Sequence, residues 1–557
     1  MRPSPIVEST SAPATMRGGD ALAAQLVREG VRHIFGVPGV QLDYAMDGLA
    51  RLAGHMTYVN TRHEQAAAYM ADGYARSTGD VGVCMVVPGP GLLNAGAGLA
   101  TAYACSSRVL CIVGDIPSST VGRGLGMLHE IPDQSLVLRS LTRWSARATE
   151  PADVPRLLRQ ALHQLRTGHP GPVGLEVPPD VLQASGDVTL LTPADDDVSS
   201  ELDSALVEAA IELLARAERP VLYAGGGVVA AGASGALQRL AERLRAPVVI
   251  SRNGRGALDD RHPLALTWLP GREVLASADV VLAVGSRFLD GEEQIRLRPS
   301  SRLVLLNIEA RDLGKPRVPT LALHADALYG LTTLGEALGG VTSSTWRPEE
   351  LRSLRSWAEQ LLMQVQPQYS WVRALRAALP EDGIFVNEFT QVGYMATVSF
   401  PVYGPRTYVG PGYQGTLGYG FPTALGVKVA QPHRAVLCIT GDGGFGFGLA
   451  ELATARKHTI ALVTVVFNDN AYGNVRRTQV EQFDNRVLGS DLTNPDFVRL
   501  AESCGIRGAR ASTPGELEGL LRETLDDGSE PVVIDVPVGP MPSPFQTLRT
   551  ARRPPAR

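Results

Sequence analysis

The sequence predicts an α/β protein of three successive doubly wound parallel-sheet domains. Three observations predict it. Short apolar runs such as "VGVCMVV", "RVLCIVG", "ADVVLAVG" and "AVLCITG" recur along the chain. Each lacks the polar alternation of a strand with one wet face, so each reads as a strand buried on both faces. Ala- and Leu-rich stretches of helical periodicity lie between them, giving strand–helix–strand units and parallel pairing. The chain has 557 residues, more than one core organises.

Taken in order, "ALAAQLVREGVRHIFGVPG" reads as helix, turn, strand and a Gly/Pro stop. "VGVCMVVPGPGLLNAGAGLATAYACSSRVLCIVGD" reads as strand, Gly-rich turn, helix and strand. These place a first domain at 17–181. Residues 182–200 lose periodicity and read as a linker. "PVLYAGGGVVAAGASGALQRLAERL" opens a second strand–turn–helix series, with further strands in "ADVVLAVGSRF" and "RLVLLNIEA", giving a domain at 201–345. The patch "GGVTSSTWRPEE" again looks like a linker, and a third domain follows at 365–540.

Hydrophobic residues make up 44% and charged residues 20%, as in an ordinary globular protein. A net charge of -5 gives no reason to expect nucleic acid or an anionic membrane as partner. No run of about 18 apolar residues exists, so no membrane span is expected. The Pro/Ser/Thr-rich first sixteen residues lack an apolar h-region, so no signal peptide is expected and a cytoplasmic location is. The five cysteines form no CxxC pair, and Cys84, Cys111 and Cys438 sit in strand-like runs, as small core residues do in a reducing compartment. The basic, proline-rich tail "RTARRPPAR" reads as a solvated end.

One stretch carries chemistry: "GDGGFGFGLAELATARKHTIALVTVVFNDN", residues 441–470. Asp442 lies just past the end of one strand, and Asn468, Asp469 and Asn470 just past the end of the next. Ligands of parallel sheets collect at those ends. Glycines 441, 443 and 444 let backbone approach a ligand and offer N–H groups to phosphate oxygens. Carboxylate and amide oxygens suit a hard divalent cation bridging to phosphate. Gly-Asp-Gly alone is a common turn. The second oxygen cluster and the strand–helix–strand frame weigh toward a cation–diphosphate site.

This pattern resembles the thiamine diphosphate motif, which begins Gly-Asp-Gly and ends near Asn-Asn. Residues 442 and 469 stand 27 positions apart, matching the family spacing. The resemblance implies Mg2+ held by Asp442, Asp469 and the backbone carbonyl of Ala471. Gly443, Gly444 and Tyr472 are implied beside the coenzyme. Asp469 stands where the family usually has Asn; it keeps the oxygen and adds a charge. "TRHEQAAAYMADGYAR" resembles the family's pyrimidine-binding stretch and makes Glu64 the carboxyl that tunes the aminopyrimidine. A helix-initiating glutamate is the plainer reading of Glu64, and the two motifs together favour the catalytic one. Asn94, in "PGPGLLNAGAG", reads as a packing residue of the same signature. Leu417, in "GYQGTLGYGF", takes the place of the family's apolar wedge, which bends the coenzyme. The Gly415 carbonyl and the Leu417 N–H would pair with the pyrimidine. Thr390 and Gln391, in "NEFTQVGYM", stand where relatives contact the diphosphate.

The resemblance spans nearly the whole chain and is closest in layout to acetolactate synthase large subunit-like proteins, within the acetolactate synthase and pyruvate decarboxylase-like superfamily. It implies a pyrimidine-binding, a central Rossmann-like and a diphosphate-binding domain. It also implies a homo-oligomer, dimer or dimer of dimers, whose active sites lie between subunits.

Such enzymes decarboxylate a 2-keto acid, then release the acyl unit as an aldehyde or join it to a second carbonyl. Fold and cofactor do not choose. Val40 stands where pyruvate decarboxylases carry an acid, and His129 is followed by Glu130 where they carry two histidines. His129 is a candidate acid/base, imidazole being suited to moving protons near neutrality; a capping or solvated histidine is the alternative. The missing acid favours a carboligase, acetolactate synthase-like or acyloin-forming, over a non-ligating 2-keto acid decarboxylase or a 2-hydroxyacyl-CoA or hydroxyketone lyase. Thr478 stands where acetohydroxyacid synthases use a tryptophan. Arg476 and Arg477 are candidates to grip a carboxylate or phosphate, or simply solvated. "VGSRFLDGEE" keeps Gly285, Arg287 and Phe288 of the flavin motif but not its full run, so FAD is the less favoured expectation. A nicotinamide dehydrogenase would need GxGxxG, which "AGGGVVAAG" lacks. A vestigial, non-enzymatic member would be expected to lose Glu64 or Asp442, and both are present.

Overall fold

The computed structural model describes residues 13–194, 202–289, 295–315, 317–339 and 343–550. By compactness the chain forms two units. The first is Met1–Asp197 with Leu425–Ala430 and Ala450–His458. The second comprises the rest.

The first unit carries a ribbon and a sheet. The ribbon pairs β1 (Ala14–Arg17) antiparallel with β8 (Ser185–Val188). The sheet holds β2 (His33–Gly36), β3 (Thr57–Asn60), β4 (Gly82–Val86), β5 (Val109–Gly114), β6 (Trp144–Arg147) and β7 (Val173–Val177), all parallel, in the order β3-β2-β4-β5-β7-β6. β4 and β5 are buried throughout, as the unbroken apolar runs of Cys84 and Cys111 require.

The second unit carries two sheets. The central one holds β9 (Pro220–Ala224), β10 (Val248–Ile250), β11 (Ala265–Leu266), β12 (Val280–Val284), β13 (Arg302–Asn307) and β14 (Leu321–His324), ordered β11-β10-β9-β12-β13-β14. Its two faces feed separate cores. Leu222, Val248 and Leu282 enter one. Val221, Val249 and Val281, their chain neighbours, enter the other, as strands covered on both sides do. The last sheet holds β15 (Ile384–Asn387), β16 (Tyr408–Val409), β17 (Val436–Gly441), β18 (Val463–Asn468), β19 (Arg507–Arg510) and β20 (Val532–Pro537), ordered β16-β15-β17-β18-β20-β19. Phe385, Leu437, Val463, Val465 and Ile534 build its core. Counted from their own first strands, the first and last sheets share one order, 2-1-3-4-6-5, and the central sheet runs 3-2-1-4-5-6.

The structure departs from the sequence reading in three stretches. The expected linker at 182–200 opens with the end of the helix Pro179–Gln183 and then β8, because the ladder with β1 satisfies its backbone; residues 195–201 lie outside the described residues. The second linker-like patch is anchored by Trp346, buried, donating from Nε1 to the Pro220 carbonyl with Arg219 stacked on its ring; residues 340–342 of that patch are not described. The helix read in "GLAELATARKH" is present as Glu451–Lys457, but the Gly-Asp-Gly loop before it holds a turn of helix, Asp442–Phe445, and a 3-10 turn, Gly446–Gly448. Five glycines within 441–448 supply too little side chain to hold one regular helix there. The tail beyond residue 550 and the first twelve residues are likewise outside the described residues.

Candidate active site

In the first unit the residues expected at the site follow the carboxyl ends of β2, β3, β4 and β5. Glu64 opens the helix Glu64–Thr78, behind an N-cap in which the His63 imidazole accepts from Gln65 N–H. Asn94, on the helix Pro90–Cys105, donates from Nδ2 to Glu64 Oε2 at 3.0 Å. The residue expected only to pack therefore aims the carboxyl and leaves Oε1 free of that bond. The turn before Glu64 is clamped by Glu451, which accepts from Arg62 N–H and His63 N–H at 3.0 Å each. Thr454 also donates to Glu451, and Lys457 reaches Asn60 Oδ1 from the same helix. Burial raises the Glu451 carboxyl, and these donors work against that rise.

Val40 begins a 3-10 turn after β2 and is 62% exposed. Its neighbour Gln41 donates from Nε2 to the Leu128 carbonyl, joining this turn to the loop of His129. His129 is held at φ +70°, and a Cβ on Gly89 would stand 2.2 Å from its carbonyl oxygen. That close approach requires glycine at 89. Gln134 fixes the Gly89 backbone by accepting its N–H and donating to the Gly114 carbonyl. The His129 Nδ1 is buried with no hydrogen-bond partner among the described residues. Glu130 turns away to accept from Met127 N–H.

In the second unit the site follows β15, β16, β17 and β18. Asp442 is buried at the start of the four-residue turn of helix, 2% exposed. Asn494 Nδ2 sits 2.7 Å from Asp442 Oδ2, 3.1 Å from Asn468 Oδ1 and 3.2 Å from Asn470 Oδ1. Asn494, in "LTNPDF", has no sequence signal beyond a turn-forming Asn-Pro. Asp469 faces Asp442. Burial first, then the Asp442 charge, push its carboxyl up to about 7. The Ala471 N–H donates to it. Ala471 itself bridges antiparallel to Asp491.

The glycines of the motif have local causes. A Cβ on Gly443 would meet the Tyr472 ring at 2.7 Å, and one on Gly444 would meet Glu388 Oε1 at 2.4 Å. Thr390 caps the helix Gln391–Ser399, its Oγ1 accepting from Val392 and Gly393 N–H, which leaves its own O–H proton to donate. Gln391 accepts from Arg477 Nη1 at 2.8 Å through Oε1. Arg477 thus orients Gln391, and Arg476 pairs with Asp491 at 3.0 Å; neither guanidinium is idle. Thr478 bonds back to the Asn474 carbonyl along its helix. Gly415 is at φ +57° with Phe389 against the place of a Cβ. Leu417 is 38% exposed.

In the central sheet the fragment resembling a flavin motif is accounted for by packing. Gly285, at φ +58°, lies against Gly227, where a Cβ would come within 2.6 Å of its Cα. Phe288 is buried edge-on to Tyr223, and Arg287 stacks over Tyr413. Residues 290–293, the rest of that fragment, are not described.

Three family models match, each to one sheet. They are the thiamine pyrophosphate enzyme N-terminal TPP binding domain at residues 16–137, its central domain at 207–334 and its C-terminal TPP binding domain at 390–536. The chain belongs to the thiamine diphosphate-dependent enzymes, in their acetolactate synthase-like branch. A probable acetolactate synthase large subunit of Methanocaldococcus jannaschii is 34% identical, over 94% of this chain and 92% of its own length. A probable 2-ketoarginine decarboxylase of Pseudomonas aeruginosa is 35% identical, over 91% and 92%. The acetolactate synthase isozyme 3 large subunit of Escherichia coli is 31% identical, over 94% and 95%.

The residues of this enzyme fit the coenzyme's diphosphate and a cation. The buried Asp442 carboxylate faces the half-buried one of Asp469, and the neutral oxygens of Asn468 and Asn470 gather beside them. An oxygen set of that kind suits a hard divalent ion that keeps some of its waters. Among the described residues no group of three or more His, Cys, Asp or Glu that could hold a metal ion assembles. No helix among the described residues is long and apolar enough to cross a membrane.

Proposed function

We propose that this enzyme is a carboligase that decarboxylates a 2-keto acid such as pyruvate and joins the acyl unit to a second carbonyl. The observation that carries the reading is the pairing of an exposed, apolar Val40 with a single histidine, joined through Gln41 and Leu128. No carboxyl stands at position 40 to deliver a proton that would end the reaction as a free aldehyde. His129 would be the group that holds or moves a proton at the substrate oxygen.

The coenzyme, when bound, supplies the electron sink into which the carbon–carbon bond electrons pass as carbon dioxide leaves. Asp442, Asp469 and the Ala471 carbonyl would hold Mg2+. The Gly443 and Gly444 N–H groups, the Thr390 hydroxyl and the Gln391 amide would bind phosphate, with Tyr472 closing the loop. Leu417 would wedge between the rings, while the Gly415 carbonyl and Leu417 N–H hold the pyrimidine edge. Glu64 would share a proton with that edge, its carboxyl aimed by Asn94. A second copy of the chain would supply it, making a homodimer or a dimer of dimers. Domain limits of 17–181, 201–345 and 365–540 go with this reading. Cys84, Cys111 and Cys438, each buried within a strand, suit a cytoplasmic setting. FAD is assigned no part in it.

A second reading is a 2-keto acid decarboxylase with a basic substrate; the relative named 2-ketoarginine decarboxylase supports it. One experiment separates the two. Purified enzyme is incubated with thiamine diphosphate, Mg2+ and pyruvate or 2-ketoarginine, with and without a second keto acid or an aldehyde. Carbon dioxide, free aldehyde and hydroxy ketone are measured. Hydroxy ketone as the main product is the expected result. Aldehyde alone under every condition would overturn carboligation.

A further inference from the structure

Glu388 stands one residue past β15 and is almost wholly buried. Nothing in its immediate sequence marks it as more than the end of a strand. In the sheet order β16-β15-β17, the loops after β16 and β17 flank the end of β15 on either side. A side chain leaving β15 at that point is placed to touch both, and Glu388 does. Its Oε1 accepts from Gly418 N–H at 2.9 Å. Its Oε2 accepts from Gly420 N–H at 3.2 Å and from the Thr440 hydroxyl at 2.6 Å. Gly418 and Gly420 border the loop of Leu417, and Thr440 leads into Gly441 and Asp442. The carboxyl also fills side-chain space on both sides. A Cβ would come within 2.7 Å of Oε2 at Gly420 and 2.4 Å of Oε1 at Gly444.

A buried carboxyl with this many donors is costly to desolvate and is kept only where the donors converge on it. An apolar side chain of the same volume would leave the two backbone N–H groups unpaired. We propose that Glu388 is a positioning residue that ties the loop of Leu417 to the loop of Asp442, Gly443 and Gly444, so that wedge and phosphate anchor are held in one fixed relation. The proposal rests on the thiamine diphosphate roles given above for those loops.

The test uses full-length Glu388→Gln and Thr440→Val, with Glu388→Ala as a harsher variant. Glutamine keeps the shape but turns an N–H2 toward one backbone donor, which leaves that donor unpaired. Amide hydrogen exchange in the segment 415–421 of the coenzyme-free protein should speed up about tenfold or more in Glu388→Gln, while β18 and β12 keep their protection. Thiamine diphosphate affinity, by calorimetry with Mg2+, should fall about tenfold. At saturating coenzyme kcat should drop while KM for the keto acid stays put, because the loosened part is the wedge and not the substrate pocket. Thr440→Val should give the same pattern more weakly. Unchanged exchange at 415–421 with unchanged coenzyme affinity in both Glu388→Gln and Thr440→Val would overturn the proposal, whether or not Glu388→Ala folds. If the wild-type protein takes up no coenzyme, the parent reading falls, and the exchange measurement on coenzyme-free protein still decides for or against the tie between the loops.

Discussion

The first and last sheets have the same strand order, yet they offer different chemistry where that order reverses. In the last sheet the chain leaves β15 through Glu388, Thr390 and Gln391, and leaves β17 through Asp442, a run of acids, hydroxyls and amides. In the first sheet the chain leaves β2 through Val37 and Pro38, and the missing side chain of Gly36 is replaced by the Met85 carbonyl at 2.3 Å and the Tyr58 hydroxyl at 2.5 Å. The one carboxyl proposed for chemistry there has moved outward by a strand, to Glu64 after β3. The topology supplies the same ledge twice, and the residues past each strand decide what rests on it. A flat ring needs an apolar slot with a single aimed carboxyl. A diphosphate needs donors and a cation.

That contrast can be broken by substitution. The largest effect is expected for Glu64→Gln: turnover should fall by about 10³-fold while coenzyme affinity largely survives. Carbon dioxide release set against calorimetry checks it, and a fully active variant would remove the first sheet from the chemistry. Asp442→Ala should do the reverse, weakening Mg2+-dependent coenzyme uptake by about 100-fold and taking activity down only through that loss. Titrating activity against coenzyme distinguishes the two. A smaller effect is expected for Glu451→Gln, where the clamp on the Arg62 and His63 amides is half lost; kcat should fall about tenfold, with faster amide exchange across 61–65.

The smallest effect concerns stability alone. Asp115, past the end of β5, is buried beside Arg147 and pushed up to about 6, by burial ahead of the opposing Arg147 charge. An acid whose folded value lies above its unfolded one holds its proton more tightly when folded. Its contribution is whole below about 4 and is lost as pH rises through about 6. Asp115→Asn should therefore gain on the wild type by on the order of 2 kcal/mol between pH 4 and pH 7. Melting curves across that range check it, and a difference that shrinks with rising pH would contradict the assigned cause.

Much of this was legible in the chain because parallel strands buried on both faces write themselves as unbroken apolar runs. β4, β5, β12, β17 and β18 follow the runs closely. The Gly-Asp-Gly and Asn-Asp-Asn ends of the motif were readable for the same reason, since each is the punctuation after such a run. What escaped the sequence acts across distance. Glu388 bonds to Thr440 over 52 positions, and Asn494 reaches Asp442 over 52 more. No periodicity encodes either. Asn94 looked like packing because its partner Glu64 lies 30 positions back on another helix. Arg477 looked loose because Gln391, which it orients, is 86 positions away. The ribbon of β1 and β8 hid in a stretch whose polar composition resembles a linker, its order coming from a ladder and not from burial.

Glu451 lies 389 positions downstream of Arg62. A ribosome adding about 5–20 residues per second makes the turn before Glu64 early and its clamp tens of seconds later. The nascent amino-terminal portion therefore emerges with that turn unsecured. A message truncated before codon 451 yields a first sheet complete in strands but without that restraint. The order of that turn is thereby coupled to synthesis of the chain as far as residue 451, long after the strands of the first sheet have been made.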